Sequence, residues 1–388
     1  MIKYTCITLL IYGCFANNNA IDTKKDLEKI ITSPSNPGAR TESKMTRTGQ
    51  PVDPNMSKWR KFYQGVPNKD ERIRLTKKLE FLGQEESLEK LIEVARIQKA
   101  VGQLMKSEAT YLVILRRFPE NINSLLEIAH LYLMKNEISK CLSFLNRFKD
   151  HLKKVSDQPD LIITYQYTKS LALLKQGHYE SAHQILRNIL KSDISFIPGY
   201  STLGTSYLNR GKLKIAEFIV QRGLNQDKDN PTLINLLGVI FLHQNQQTKA
   251  NIQFQRALNL NPDFAPSLVN RANMAIKRKE FLAAENDLKK ALSINHIFVH
   301  AYVSLGILQK ETGRFKEAQA SFAQALSIDP ENAYARFNLA LLTADQLKDT
   351  STALQLFHEV LQTYQPNDQL KDLSQLHIDG LRENRISQ

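Results

Sequence analysis

A 34-residue interval governs this chain. Within residues 231–264 the apolar and small residues fall as Ile234, Leu237, Gly238 and Phe241, then Ala250, Phe254 and Ala257, with Pro262 after them. One period earlier the marks stand as Tyr200, Leu203, Gly204, Tyr207 and Ala216. Two periods later they stand as Tyr302, Leu305, Gly306, Ala318, Phe322, Ala325 and Pro330. A fixed interval of this length constrains the fold more than composition does. Each unit is too short to close its own core, so its apolar face must be covered by its neighbour. Ile234, Leu237 and Phe241 lie at i, i+3 and i+7, one stripe of a 3.6-residue helix. Gly238 sits beside that stripe, where a missing side chain admits a second helix, and Ala250 and Ala257 leave room from the opposite side. Pro262 and Pro330 end the second helix and turn the chain into the next unit.

Large-x2-Leu-Gly-x2-aromatic, then Ala-x3-Phe, then Pro resembles the tetratricopeptide repeat, whose pattern has this order and period. The resemblance implies an all-α chain: a right-handed α-solenoid of about eight helix-turn-helix repeats with a C-terminal capping helix. No alternating valine-rich run bounded by turn residues argues for strands. Register places the array over 88–366, as 88–121, 122–155, 163–196, 197–230, 231–264, 265–298, 299–332 and 333–366. Extra residues around Val155 to Asp160 break the period, and a small insertion falls near Gln346 to Asp349. In 265–298, Arg271 and His296 stand where Leu and Pro are usual in the family. Residues 58–87 read as an N-terminal cap, with Trp59, Phe62 and Tyr63 as anchors and Leu75, Leu79 and Leu82 on one helical face. Residues 367–388 close the array, with Leu370, Leu373, Leu376 and Leu381 facing inward; polar ends are what a finite solenoid needs.

The N-terminus is a different kind of sequence. Lys3 is followed by a charge-free apolar run from Tyr4 to Phe15, with small residues at Cys14 and Ala16. Residues 1–16 read as a secretory signal peptide, too short to span a bilayer. A second reading stays open: Ile11-Tyr12-Gly13-Cys14 resembles a bacterial lipobox, with Cys14 lipidated and the protein held at a membrane. A third is an unprocessed apolar N-terminus. Residues 17–57 hold Pro34, Pro37, Pro51 and Pro54 among Ser, Thr, Asn and Lys without apolar period, and read as a disordered linker.

The chain carries a formal net charge of +13. Residues 1–196 hold 31 basic and 21 acidic side chains, a surplus of 10; residues 197–388 hold 21 and 18, a surplus of 3. The excess suits an acidic partner or membrane surface. Nucleic acid would call for clustered Lys and Arg with stacking aromatics, and neither stands out. Two of the three cysteines, Cys6 and Cys14, lie in the leader; Cys141 takes a small-residue position in a second helix and reads as core.

No catalytic motif is present: no phosphate-cradling Gly-x4-Gly-Lys-Ser/Thr, no Gly-x-Ser-x-Gly elbow, no His-Glu-x2-His helix. His296 and His300 are spaced i, i+4 but straddle a turn with no third ligand, so no metal or cofactor is expected. With nearly the whole chain from residue 88 committed to repeats, no room is left for a catalytic domain. The family resemblance instead implies a concave groove lined by first helices, at the second, fifth, sixth, ninth, twelfth and thirteenth repeat positions. Those positions carry Tyr167, Leu171 and Lys175; Ser201, Thr205 and Asn209; Asn235, Val239 and His243. They continue with Asn270, Asn273 and Lys277; Ser304, Ile307 and Lys310; and Phe337, Asn338 and Leu341. Asparagine is unfavourable in a helix interior, and its donor and acceptor suit gripping an extended peptide backbone. Solvated polar residues on an exposed face are the plainer reading. The carboxylate clamp of chaperone-binding relatives is missing: Asn273 is in place, but Val269 and Ser304 occupy positions that need basic residues.

The expected function is an exported, non-enzymatic scaffold binding a partner protein or extended peptide, in a cell-envelope machine such as a pilus, secretion or polysaccharide-export system. One alternative is a lipid-anchored periplasmic adaptor through Cys14. Another is a glycan-binding accessory subunit, with Tyr167 and Phe337 as the aromatics a sugar would meet.

Overall fold

Helix pairs recur because every apolar stripe has a partner one turn away in sequence. The computed structural model describes residues 44–45, 51–52, 69–82, 87–362 and 368–386. The leader, Cys14 and the anchors Trp59, Phe62 and Tyr63 lie outside the described residues. Inside the stretch expected to be a disordered linker, Lys44–Met45 (β1) pairs antiparallel with Pro51–Val52 (β2). Two residues a side is less than a self-supporting hairpin.

The chain divides into two units, Ile21–Ser206 and Tyr207–Gln388. The first opens with α1 (Lys69–Leu82), which lies on α2 (Leu88–Ala100). Then α2 pairs with α3 (Leu104–Arg117), α4 (Ile122–Met134) with α5 (Ile138–Lys149), and α6 (Pro159–Lys175) with α7 (Tyr179–Ser192). Helix α8 (Ile197–Asn209) crosses the division. The second unit continues through α9 (Leu213–Gln226), α10 (Pro231–His243), α11 (Gln247–Leu260), α12 (Ala265–Lys277) and α13 (Phe281–Ile294). It ends with α14 (Val299–Glu311), α15 (Phe315–Ile328), α16 (Ala333–Asp345), α17 (Thr350–Gln362) and α18 (Asp368–Ile386). Here α10 pairs with α11, α12 with α13, α14 with α15 and α16 with α17, while α18 covers α17.

The small residues sit at the crossings. Ala216, Ala250 and Ala318 have no exposure, and Gly204, Gly238 and Gly306 are buried. A Cβ on Gly238 would lie 2.6 Å from Cε1 of Phe254. Cys141 is fully buried, and burial pushes its thiol up to about 11, so it is a core residue.

Turns inside the repeats share one device. The residue two places past each first helix has positive φ, at Gly102, Asn136, Gly177, Gly211, Asn245, Lys279, Gly313 and, after the insertion, Lys348. The N–H groups of these tight turns reach back to the last carbonyls of the first helix, as Gly313 N–H does to Lys310. Six of the seven turns between repeats use one of two solutions. Asn121, Asn230 and Asn332 cap the following helix through their side-chain oxygens, accepting from Ser124, Leu233 and Ala335 N–H. Phe196, Phe264 and Phe298 hold the equivalent place before α8, α12 and α14 with an apolar plug. Pro262 and Pro330 follow the last residues of α11 and α15 by two, beyond Asn261 and Asp329.

The break in period is absorbed in two pieces. A single 3-10 turn, Leu152–Val155, buries Val155, and α6 then starts at Pro159 rather than 163. Proline at a first helical position loses no hydrogen bond, so the helix extends by a turn. Phe148 of α5 stacks on Tyr165 of α6 at 5.1 Å across this segment. The later insertion is closed by Asp349, which accepts from the Thr352 N–H and hydroxyl.

Candidate functional site: the first-helix strip

First helices of consecutive repeats touch one another: α4 with α6 in the first unit, and α10 with α12, α12 with α14 and α14 with α16 in the second. Their shared faces make a strip within each unit, and the candidate binding residues are distributed along both.

In the second unit the strip centres on three asparagines and a lysine. Oδ1 of Asn235 on α10 accepts from Oγ of Ser267 and from Nδ2 of Asn270 on α12, both at 2.9 Å. One turn along α12, Oδ1 of Asn273 is enclosed and has no hydrogen-bond partner. Four residues further, burial brings the Lys277 ammonium down to about 8. A half-buried amine and an unsatisfied carbonyl on one helix face are the two halves of a site for a group that both donates and accepts. Val239 and Lys310 are half-buried on the same strip.

Several expected groove residues are not available to a ligand. Phe337 has no exposed surface: its ring meets Phe357 edge-on at 5.6 Å inside the last repeat's core. Asn338 is equally enclosed, and its Nδ2 donates to the Tyr334 carbonyl of its own helix. Ser304, Ile307 and Leu341 are buried as well. His243 is buried at the end of α10. In the first unit Tyr167 keeps only 7% of its surface, bonded to Thr202 Oγ1 at 2.9 Å and set edge-on to Phe196. A repeat position fixes which way a side chain starts from the backbone, but the neighbouring helix decides whether water reaches it. Thr205 and Asn209 are exposed, and Lys175 is exposed with its ammonium on Asn136 Oδ1 at 3.0 Å.

The sequence reading passed over the strip in repeats 88–155, where weak register hid it. Arg96 and Lys99 of α2 both reach Glu127 of α4, at 3.2 and 2.5 Å. Burial works against the Glu127 charge, yet Lys99 and Arg96 hold its carboxyl below the usual range. The thirty-four-residue offset from Glu93 to Glu127 was the available signal. Arg271 also finds an explanation. In place of the usual leucine it makes a paired contact to Asp287 on α13, two bonds of 2.7 Å, and a third to Gln255 on α11 at 2.9 Å. Two adjacent repeats are thereby tied through one guanidinium. His296 and His300 meet no third ligand: no group of three or more His, Cys, Asp or Glu converges among the described residues.

A family model described as Tetratricopeptide repeat matches residues 299–332. Among solved structures, a chain of the APC/C hetero-tetramer Cut9-Hcn1 is similar at a TM-score of 0.51 with 15% identity, over 81% of this chain and 61% of that one. Residues 299–332 are a tetratricopeptide repeat. The present chain thus spans about three-fifths of the Cut9-Hcn1 chain it resembles. Human IFIT1 bound to m7Gppp-AAAA is similar at 0.49 with 17% identity, over 76% of this chain and 72% of that one. A tetratricopeptide repeat protein from Parabacteroides merdae reaches 0.39 with 22% identity, over 54% and 82%. No curated protein matches the chain. At 15% identity the Cut9-Hcn1 likeness establishes the helical-repeat fold alone, and the site has to be argued from this chain's own side chains. The fold is one whose usual work is binding other proteins.

Proposed function

We propose that this protein is a non-enzymatic scaffold that binds an extended segment of a partner protein along the strip of α10, α12 and α14, through Asn235, Asn270, Asn273, Lys277 and Lys310. The observation that carries this reading is the Asn273 carbonyl oxygen, buried without a partner one turn from Lys277. An unsatisfied buried acceptor costs roughly 1–3 kcal/mol. A peptide N–H would satisfy it, and the neighbouring Lys277 ammonium would donate to a carbonyl of the same peptide. Asn235 and Asn270 already hold each other, so they fix the geometry of this surface.

The setting we propose is the cell envelope, in assembly of a pilus, secretion or polysaccharide-export machine; residues 1–16 support it through their basic start, apolar run and small-residue ending. Lipidation at Cys14 is the alternative means of holding the scaffold there, and intact mass of the membrane fraction separates the two. A glycan ligand loses support because Tyr167 and Phe337 are buried.

The test is capture from envelope extracts with residues 58–388 as bait, beside the same bait carrying Asn270→Ala and Asn273→Ala. The reading expects an enriched protein that the double variant loses while its helicity stays intact. Equal capture by both baits would remove the strip from the mechanism.

A further inference from the structure

The last repeat is closed by a histidine lying flat on an aromatic ring. His377 of α18 stacks on Phe357 of α17 at 5.3 Å with the planes 3° apart, and meets Phe337 of α16 edge-on at 6.1 Å. Leu370 and Ile378 of the same helix are buried in the cluster that holds Phe337, Leu341, Phe357 and Val360. The imidazole is the polar group in this contact, and its Nε2 is enclosed without a hydrogen-bond partner.

We propose that α18 is a pH-gated cap, docked on the last repeat while His377 is neutral and released when His377 takes up a proton. A neutral imidazole can leave one nitrogen bare against an apolar surface; the cation carries a proton on both and presents a charged donor to the rings. Burial accordingly holds His377 below the ordinary histidine value, with Asp345 pulling the other way. The released ring binds its proton near 6.5. Docking is therefore at full strength above about pH 6.5 and is lost as pH falls through the docked value.

The other ionisable groups on these helices are accounted for. From α16 the Asp345 carboxylate favours the charged ring. On α17, His358 is bonded by Arg382 of α18 at 3.3 Å, and Glu359 is paired with Arg336 of α16 at 3.1 Å. Beyond Arg382, the sequence of α18 adds Asp368, Lys371, Asp372, Asp379, Glu383 and Arg385. His358, the other histidine on these helices, serves as the control. Release would uncover Phe337, Phe357 and Val360, an apolar end of the kind on which a further helix pair stacks.

Amide hydrogen exchange read by mass spectrometry on the full chain tests this, between pH 7.5 and 5.0 and corrected for intrinsic rates. The opening of residues 368–386 should rise by up to roughly tenfold per pH unit below about 6.5, while residues 299–332 stay protected. His377→Phe keeps the apolar stack and should be flat; His358→Gln should behave like the parent. A flat parent profile, or the same rise in His377→Phe, overturns the proposal. Should His377→Phe fold poorly, an NMR titration of His377 in the parent decides: a value at or above 6.5 overturns it.

Discussion

Gly306 faces the ring of Phe322 so closely that a Cβ there would lie 2.5 Å from Cε1. The first and second helices of that repeat meet at this pair, and Phe322 has no exposed surface into which it can retreat. Gly306→Ala should therefore destabilise the chain by about 1–3 kcal/mol, and Gly306→Leu by at least as much. Urea unfolding monitored by circular dichroism reads the loss. An unchanged midpoint would mean that the helix pair slides apart without cost. Gly238, which would put a Cβ 2.6 Å from Phe254, should give the same result.

Lys279 occupies a turn position with φ of 61°, where four other repeats place glycine. A side chain with a Cβ is strained in that region, so Lys279→Gly should stabilise by about 0.5–1 kcal/mol. The converse, Gly313→Ala, places a Cβ in open space but at φ of 76°, and should cost about 1–2 kcal/mol. Thermal melts of the two variants should move in opposite directions.

Asp287→Ala should be worse than removing the whole ion pair. The guanidinium of Arg271 is 30% exposed and its partner carboxylate 14%, so the pair is shielded without being sealed. Losing one member strands a half-buried cation, at about 1–3 kcal/mol after allowance for solvent. Arg271→Leu with Asp287→Ala restores the leucine usual at this position and should recover most of that loss. A double variant no better than Asp287→Ala would show that the pair contributes through its tie to Gln255.

Lys277 gives a signed pH dependence. Its folded value of about 8 lies below the ordinary lysine value near 10.5, because burial disfavours the ammonium. The unfolded chain thus binds more protons between the two, and stability rises with pH across that window. Lys277→Met should remove this slope. The quantity to measure is the parent-minus-variant difference in unfolding free energy at pH 7.5 and 10, since other lysines and tyrosines cancel in it. A difference that does not change would place the amine in water.

The repeat array was legible because its signal is local and redundant. Gly238 and Gly306 can be read from spacing alone: a helix crossing needs a small residue one step beside the apolar stripe, and the partner ring follows at a fixed distance in sequence. Arg271 was visible as an irregularity, but its meaning was not, since Asp287 and Gln255 come from different helices. The strip was legible only as a set of directions. Asn235, Asn270 and Asn273 start from the expected face, yet Phe337 and Asn338, in the same repeat positions, are covered by the close of the array. The early strip of Arg96, Lys99 and Glu127 escaped notice because degenerate repeats leave the register weak while ion pairs hold the helices together.

By itself, then, the sequence determined the helix pairs, their order and the small residues at their crossings, because a 34-residue period dictates which faces must be buried. Tertiary structure alone decided which polar side chains keep a free atom. The Asn235–Asn270 bond, the orphaned oxygen of Asn273 and the stacking of His377 on Phe357 each join residues from packing neighbours or depend on what encloses them. Hydrogen bonding and desolvation act over a few ångströms in space, and repeat position specifies only the direction in which a side chain sets out.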